Sequence, residues 1–181
     1  TIMAHFFDYV IADVHLRCNT DLVGLGLKGF RPFETEVTGE PTATITISDE
    51  PPTDISGTTI SDSYLSEADA DGAFLRTNNG YAYLITIRDD ADYQASFDID
   101  CTNNMIKCNM RINNSRDISI LRFGLWVMYG VVIAPHRGIA IHSSTIECSG
   151  RCSLFLGESG TGKSTHTRLW RENITGARLL N

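Results

Sequence analysis

The sequence predicts an α+β fold: an N-terminal antiparallel β-rich domain, a connecting helix, and the start of an α/β domain that carries a phosphate-binding loop. Three observations favour this class. Short strand patterns recur through the first part of the chain, an apolar helical pattern follows them, and a glycine-rich loop stands between a strand pattern and a helix pattern. We therefore expect a β-rich domain over 1–113, a helix over 114–135 and an incomplete nucleotide-binding domain over 136–181.

The β-rich domain is predicted from short runs of alternating or β-branched apolar residues, bounded by glycine, proline and asparagine. The expected strands cover residues 6–16, 43–47, 73–77, 81–88, 93–99 and 105–112. Between the third and the fourth, Asn78-Asn79-Gly80 predicts a tight hairpin turn, because asparagine and glycine accept positive φ. Residues 54–63 are polar and are expected to form a linker or turn.

A long helix is expected after the β-rich domain. The polar segment 114–117 supplies a helix start, and residues 118–133 are apolar nearly all round before Pro135 ends the pattern. A helix of this kind is buried. Because glycine lowers helix propensity, Gly124 and Gly130 within it predict close packing on the sheet.

Composition places the chain among soluble globular proteins, since 42% of its 181 residues are hydrophobic and 20% are charged. Disordered and fibrous classes are thereby excluded. The formal charge of −7 is uneven: residues 1–135 hold 9 Lys or Arg against 19 Asp or Glu, whereas residues 136–181 hold 6 against 3. The positive part contains the glycine-rich loop, which favours a small anionic ligand there and argues against a nucleic-acid partner.

The five cysteines include no C-x-x-C pair, so they indicate neither a disulfide framework nor a zinc site. Cys148 and Cys152 could face each other near a turn, but free thiols are the simpler interpretation. No basic region precedes an apolar run at the start, and the apolar stretch 125–134 is too short to span a bilayer. These features predict a reducing cytoplasm and no membrane partner.

The most specific motif is a loop that matches G-x-x-x-x-G-K-[ST] at every fixed position. Its glycines let backbone N–H groups turn inward around an anion, and the helix after it points its positive end at the same place. Lys163 is expected to reach the terminal phosphates of a nucleotide, and Ser164 to hold Mg²⁺. The nucleotide-binding residues predicted from the motif are Gly157, Glu158, Ser159, Gly160, Thr161, Gly162, Lys163, Ser164 and Thr165.

The elements around this loop differ from those of ordinary phosphate-loop enzymes. Residues 138–146 predict a strand, 147–150 a turn, and 151–156 a second strand that enters the loop. A helix is expected over 166–172 and a further strand over 177–180. An antiparallel hairpin thus precedes the loop, whereas ordinary phosphate-loop enzymes reach it through a parallel βαβ unit.

From His142 to Asn181 the chain resembles the C-terminal catalytic domain of HPr kinase/phosphorylase, which shares its fold with the phosphoenolpyruvate carboxykinases. The shared order is a histidine, a strand, an acidic residue, a glycine-containing turn, a strand, the loop, a helix and a strand led by arginine. A closer likeness is to bacterial HPr-kinase-like proteins with a GKSTH-x-RLW run, here residues 162–170. His142 matches the family histidine, and Glu147 matches its acidic position.

The resemblance implies that ATP binds with Mg²⁺ and that the γ-phosphate passes to a hydroxyl of a protein, peptide or small molecule, with Lys163 and His142 in the catalytic centre. The family's general base is an Asp-Asp pair at the end of the strand after the helix, and the sequence stops at Asn181, where that pair would begin. We therefore expect the chain to be part of a longer protein and inactive by itself. Related kinases are hexamers, so a homo-oligomer is compatible with the resemblance.

Two other interpretations stand beside a kinase. A carboxykinase-like decarboxylase requires further metal-ligating His and Lys residues and a substrate arginine, which residues 1–135 do not offer. A non-catalytic nucleotide-binding regulator, or an inactive fragment whose β domain binds a partner, stays open. His142 fits a phosphate or acceptor contact and a structural strand histidine equally. His166 could contact a phosphate or a base, and Arg168 and Arg171 could neutralise phosphate, but the favoured interpretation places all three on the solvent side of the helix.

Overall fold

The structure is a computed structural model that describes residues 5–52, 54–158 and 160–180. It is a mixed α+β protein with a large β-sheet and few helices, which agrees with the predicted fold class in general terms. The chain divides into two compact units, one up to Ile139 and one from Ala140 onward.

The first unit is built around a sheet that has eight strands within the described residues. The strands are β1 (Phe7–Ile11), β2 (Val14–Cys18), β3 (Ala43–Ser48), β4 (Thr58–Leu65), β5 (Ala70–Arg76), β6 (Gly80–Ile87), β7 (Asp90–Asp100) and β8 (Met105–Asn109). Their order across the sheet is β1-β2-β3-β8-β7-β6-β5-β4. From β4 to β8 each strand pairs antiparallel with the next, as expected for strands joined by short turns.

The prediction of a wholly antiparallel domain over 1–113 is wrong at β3. This strand pairs parallel with β2, where Leu16 faces Ala43, and parallel with β8, where Ile45 faces Ile106. Two parallel neighbours need a long crossover connection between them. The segments that connect β2 to β3 and β3 to β8 are both long enough for one. The period-two pattern identifies a strand but carries no information about the direction of its neighbours.

Two local predictions in this sheet are also corrected. The single strand expected over 6–16 is a hairpin of β1 and β2, whose turn residues Ala12 and Asp13 adopt φ of 48° and 64°. The polar linker expected over 54–63 contains most of β4, which is exposed along nearly its whole length. An edge strand in solvent needs no apolar face, so its sequence lacks the pattern by which buried strands are found.

The hairpin turn expected at Asn78-Asn79-Gly80 does join β5 to β6. The expected positive φ is wrong, because none of the three residues has a positive φ. Gly80 is instead required by space: a Cβ there would collide with the backbone carbonyl of Ile99 on β7.

Helix α1 (Ser115–Ile133) confirms the long apolar helix, and the Asn114 side chain caps it by accepting from the Asp117 amide at 3.1 Å. Close packing is confirmed at Gly124, where a Cβ would collide with the Phe97 ring on β7, but not at Gly130, where the space is open. The helix buries one side on the sheet through Ile120, Leu121, Leu125 and Met128. By length and composition alone, the segment 115–136 could also cross a membrane.

The second unit contains an antiparallel sheet with three strands among the described residues, in the order β10-β9-β11. Its elements are β9 (Ser144–Cys148), β10 (Arg151–Phe155), α2 (Lys163–Asn173) and β11 (Arg178–Leu179). The hairpin before the glycine-rich loop is therefore confirmed, although its first strand begins at Ser144 and not at residue 138. Helix α2 covers one face of this sheet, where Ile146 and Thr167 are buried.

Candidate phosphate-binding loop

The glycine-rich loop runs from the end of β10 to the first turn of α2. Gly162 stands immediately before the helix with φ of 89°, and Gly157 and Gly160 adopt φ of 156° and 82°. Residues with side chains rarely adopt these angles. At Gly160 and Gly162 no atom of the described residues, chain neighbours aside, lies within 4 Å of an added Cβ, so backbone conformation and not crowding demands glycine at both positions.

Lys163 is the first residue of α2, and its side chain returns over the loop. The Nζ ammonium donates hydrogen bonds to the backbone carbonyls of Gly157 at 2.7 Å and Glu158 at 2.8 Å. The cation is thereby held at the loop, next to the end of α2 at which unpaired N–H groups and the helix dipole favour an anion.

Thr161 fixes the middle of the loop, a role that sequence reasoning missed. Its hydroxyl donates to the Glu158 carbonyl at 2.8 Å, and its amide donates to the same oxygen at 3.3 Å. A threonine that bonds a carbonyl three residues earlier is a common local turn device, so the spacing of Thr161 from Glu158 could have signalled it.

The remaining motif residues lie at the loop or on the first turn of α2. The Ser164 side chain is exposed, and its backbone carbonyl accepts from the Thr167 hydroxyl at 3.1 Å. Thr165 follows, also exposed. Ser159, predicted as part of the same site, lies outside the described residues.

His142 belongs to the irregular segment just before β9 and is exposed. The last paired position of the hairpin is Ser144 opposite Phe155, so His142 and Gly157 each stand two residues beyond it. Strand direction therefore carries the histidine and the loop to the same end of the small sheet. Sequence alone placed His142 inside a strand, and the shorter β9 corrects that assignment.

Glu147 is occupied by two structural contacts within the second unit. Its carboxylate accepts from the Gly150 amide at 2.7 Å and from Arg178 Nε at 2.6 Å. These hydrogen bonds, first that of the Gly150 amide and then that of Arg178, lower the pKa of Glu147. The residue fixes the β9-β10 turn and holds β11 against β9, which explains its acidic character without a role at the loop.

Helix α2 presents the remaining candidates. His166 is exposed, as expected, and its ring also packs against Phe155 at 4.6 Å between centroids. Trp170 contacts the same ring at 5.8 Å and anchors the helix on β10. Arg168 is paired loosely with Glu172, at 3.9 Å on the exposed side. A pair of this kind contributes little to stability.

The cysteines are free thiols, as expected; all five lie in the described ranges. Cys148 is opposite Arg151 and Cys152 is opposite Glu147 in the β9-β10 register. Residues that face each other across an antiparallel pair share a face, so the two cysteines lie on opposite faces of the sheet and cannot join. This corrects the idea that they face each other near the turn.

Within the described ranges, no three or more His, Cys, Asp or Glu side chains converge in a way that could hold a metal ion. A Mg²⁺ ion that accompanies a nucleotide takes most of its oxygen ligands from phosphates and water and few from protein. The exposed Ser164 hydroxyl at the start of α2 fits this chemistry.

No family model, no curated protein and no solved structure matches this chain.

Proposed function

We propose that the loop 157–165 binds the phosphates of a nucleoside triphosphate with Mg²⁺, and that the protein is an HPr-kinase-like phosphotransferase. The observation that carries the first part is the arrangement of Lys163: it begins α2, follows a left-handed Gly162, and folds its ammonium over the loop carbonyls. The antiparallel hairpin that leads into the loop supports the second part, because it distinguishes this unit from the parallel βαβ setting of most phosphate loops.

In this proposal the loop amides, Lys163, Ser164 and His142 each have a role in binding or transfer. The amides at the start of α2 and in the loop donate to phosphate oxygens, and Lys163 moves from the carbonyls of Gly157 and Glu158 to the terminal phosphates. The hydroxyl of Ser164 is a ligand of Mg²⁺, which neutralises charge on the transferring phosphoryl group when bound. His142 lies at the loop end of the sheet, where the acceptor hydroxyl would approach.

The nucleophile in this proposal is the acceptor hydroxyl. Glu147 is not its general base, because its carboxylate already accepts from Gly150 and Arg178. Because the Glu147 carboxylate is already hydrogen-bonded, a nucleotide-binding regulator is the second candidate function. Such a protein needs the loop but no general base. Five free cysteines support a reducing compartment, the cytoplasm, for either function.

Calorimetric titration with ATP, in the presence and absence of Mg²⁺, tests the binding proposal. Lys163→Ala should weaken MgATP binding by about tenfold or more. Ser164→Ala should remove mainly the part of the affinity that depends on Mg²⁺. Lys107→Ala, a lysine on β8 in the first unit, is the matched control and should bind as the wild type does. Unchanged affinity in Lys163→Ala would refute the proposal.

Release of γ-phosphate by the whole gene product separates the two candidates. A phosphotransferase consumes MgATP when a hydroxyl acceptor is supplied, and Lys163→Ala removes that activity. A regulator binds MgATP with the same dependence on Lys163 but leaves the γ-phosphate in place.

A further inference from the structure

The first unit contains a cavity of about 340 Å³ between the segment 26–33 and the N-terminal half of α1. Its apolar wall includes Phe30, Phe33 and Ile118, and its charged side chains are Lys28 and Arg122. No carboxylate belongs to its lining within the described residues. The volume falls in the range of small-molecule sites.

The wall on the loop side is built firmly. Leu22 and Leu27 are buried beneath it, and the Leu27 amide donates to the Leu22 carbonyl at 2.9 Å. The Tyr9 hydroxyl accepts from the Leu22 amide at 3.0 Å, and the Tyr9 ring packs edge-on against Phe30 at 5.4 Å between centroids. These contacts within the protein hold the wall in place, which lowers the entropic cost of binding.

Two glycines shape the opening. Gly26 has φ of 110°, and an added Cβ would lie 3.8 Å from the Ile118 side chain, so the loop passes close to α1 at this point. Gly29 has no other atom within 4 Å of an added Cβ, which leaves its surroundings open. A ligand can thus approach the backbone of this loop directly.

The charge of the lining opposes that of its surroundings. Residues 1–135 hold 9 Lys or Arg against 19 Asp or Glu, yet the charged residues of this cavity are both cations. Among the described residues, no carboxylate lies within ion-pair distance of Lys28. Arg122 reaches Glu67 at 3.4 Å, but both side chains are more than half exposed, so that pair is weak and exchangeable.

We propose that this cavity binds a small organic monocarboxylate with an aromatic or branched aliphatic body. The carboxylate lies between Lys28 and Arg122, and it replaces Glu67 as the partner of the guanidinium. The body packs on Phe30, Phe33 and Ile118. The site lies in the first unit and does not depend on the proposed nucleotide function.

Benzoate and its neutral analogue benzamide test the proposal on the full chain, by NMR titration of backbone amides. Benzoate should give saturable shifts at Gly26, Gly29 and Ile118, with an affinity about tenfold or more above that of benzamide. Equal affinity for the two compounds overturns the proposal. The absence of saturable benzoate shifts up to about 50 mM also overturns it, because such binding is weaker than that of a millimolar ligand.

Three substitutions of exposed side chains sharpen the test. Lys28→Gln should weaken benzoate binding by about fivefold or more, whereas Glu67→Gln should strengthen it because the variant releases Arg122. Lys107→Gln on β8 is the matched control and should change nothing. Identical benzoate affinity in the Lys28, Glu67 and Lys107 variants also overturns the proposal, and unchanged circular dichroism verifies that each variant is folded.

Discussion

Lys163 is hydrogen-bonded to Gly157 across the whole length of the glycine-rich loop, with 2.7 Å between the ammonium nitrogen and the backbone carbonyl oxygen. The lysine that follows the last glycine of the motif therefore closes onto the glycine that begins it. Together with the Thr161 bond to Glu158, this contact holds the loop in its folded path by hydrogen bonds within the chain. A prefolded loop loses less conformational entropy when a phosphate binds.

Removing that contact should loosen the free loop. Lys163→Met keeps most of the aliphatic stem but donates no hydrogen bond, so amide exchange at Gly160 and Gly162 should accelerate by roughly fivefold, about 1 kcal/mol. Hydrogen exchange followed by NMR in the absence of nucleotide measures this change. Exchange rates equal to those of the wild type would show that the lysine does not order the loop.

Two glycines in α1 should respond to alanine in opposite directions. Gly124→Ala should lower the free energy of unfolding by about 1 to 3 kcal/mol, because its Cβ collides with the Phe97 ring. Gly130→Ala should raise it by about 1 kcal/mol, because alanine has the higher helix propensity and the space is open. Urea denaturation of both variants gives the comparison, and effects of the same sign would contradict the packing of α1 on β7.

Glu147 should make the second unit sensitive to acid. Its pKa in the folded state is lowered by the Gly150 amide and by Arg178, so its stabilising contribution is complete above its ordinary pKa of about 4.3. That contribution is lost as the pH falls through the lower folded-state value. In Glu147→Gln this acid-dependent loss should disappear.

The effect of Glu147 is measured by NMR on β11, from its amide exchange and its resonances between about pH 6 and pH 3. This strand is the right probe because it contains Arg178, the partner of Glu147. The matched control is Glu172→Gln on α2, whose pair with Arg168 is longer, at 3.9 Å. A pH profile of β11 that is the same in the wild type and in Glu147→Gln would contradict the assignment.

The cysteines should divide sharply in reactivity. Burial raises the pKa of Cys18 to about 11 and also raises the pKa of Cys108 well above that of an ordinary thiol, so neither thiol ionises at neutral pH and neither is accessible. Cys101 and Cys152 are exposed. Iodoacetamide at pH 8 should label the exposed pair at least about a hundredfold faster, as read by mass spectrometry of the native protein. Rapid labelling of Cys18 or Cys108 would contradict the packing of β2 and β8.

Several elements could be predicted from the residues because their causes are local. The start of α1 at Asn114, the turn between β9 and β10, and a helix after the glycine-rich loop depend on side chains and backbone angles within a few residues. The predicted helix starts at residue 166, whereas α2 begins at Lys163. The loop motif is of the same kind. Its glycines are required by the local backbone conformation, so their spacing in the sequence predicts the loop.

Other features depend on partners that are distant along the chain. The parallel pairing of β3, the exposed edge strand β4 and the contact of Gly80 with Ile99 have no signal of their own in the sequence. The same holds for Glu147, because its partner Arg178 lies 31 residues later in the chain.

The sequence by itself thus indicated most of the strands, both α-helices and the position of the glycine-rich loop, because propensity, capping and left-handed glycines act over a few residues. Only the tertiary structure decided which strands are neighbours, which glycine of α1 meets a ring, and that Lys28 and Arg122 share a cavity. The physical reason is that pairing, packing and charge proximity are set by distances in space, which chain order does not fix.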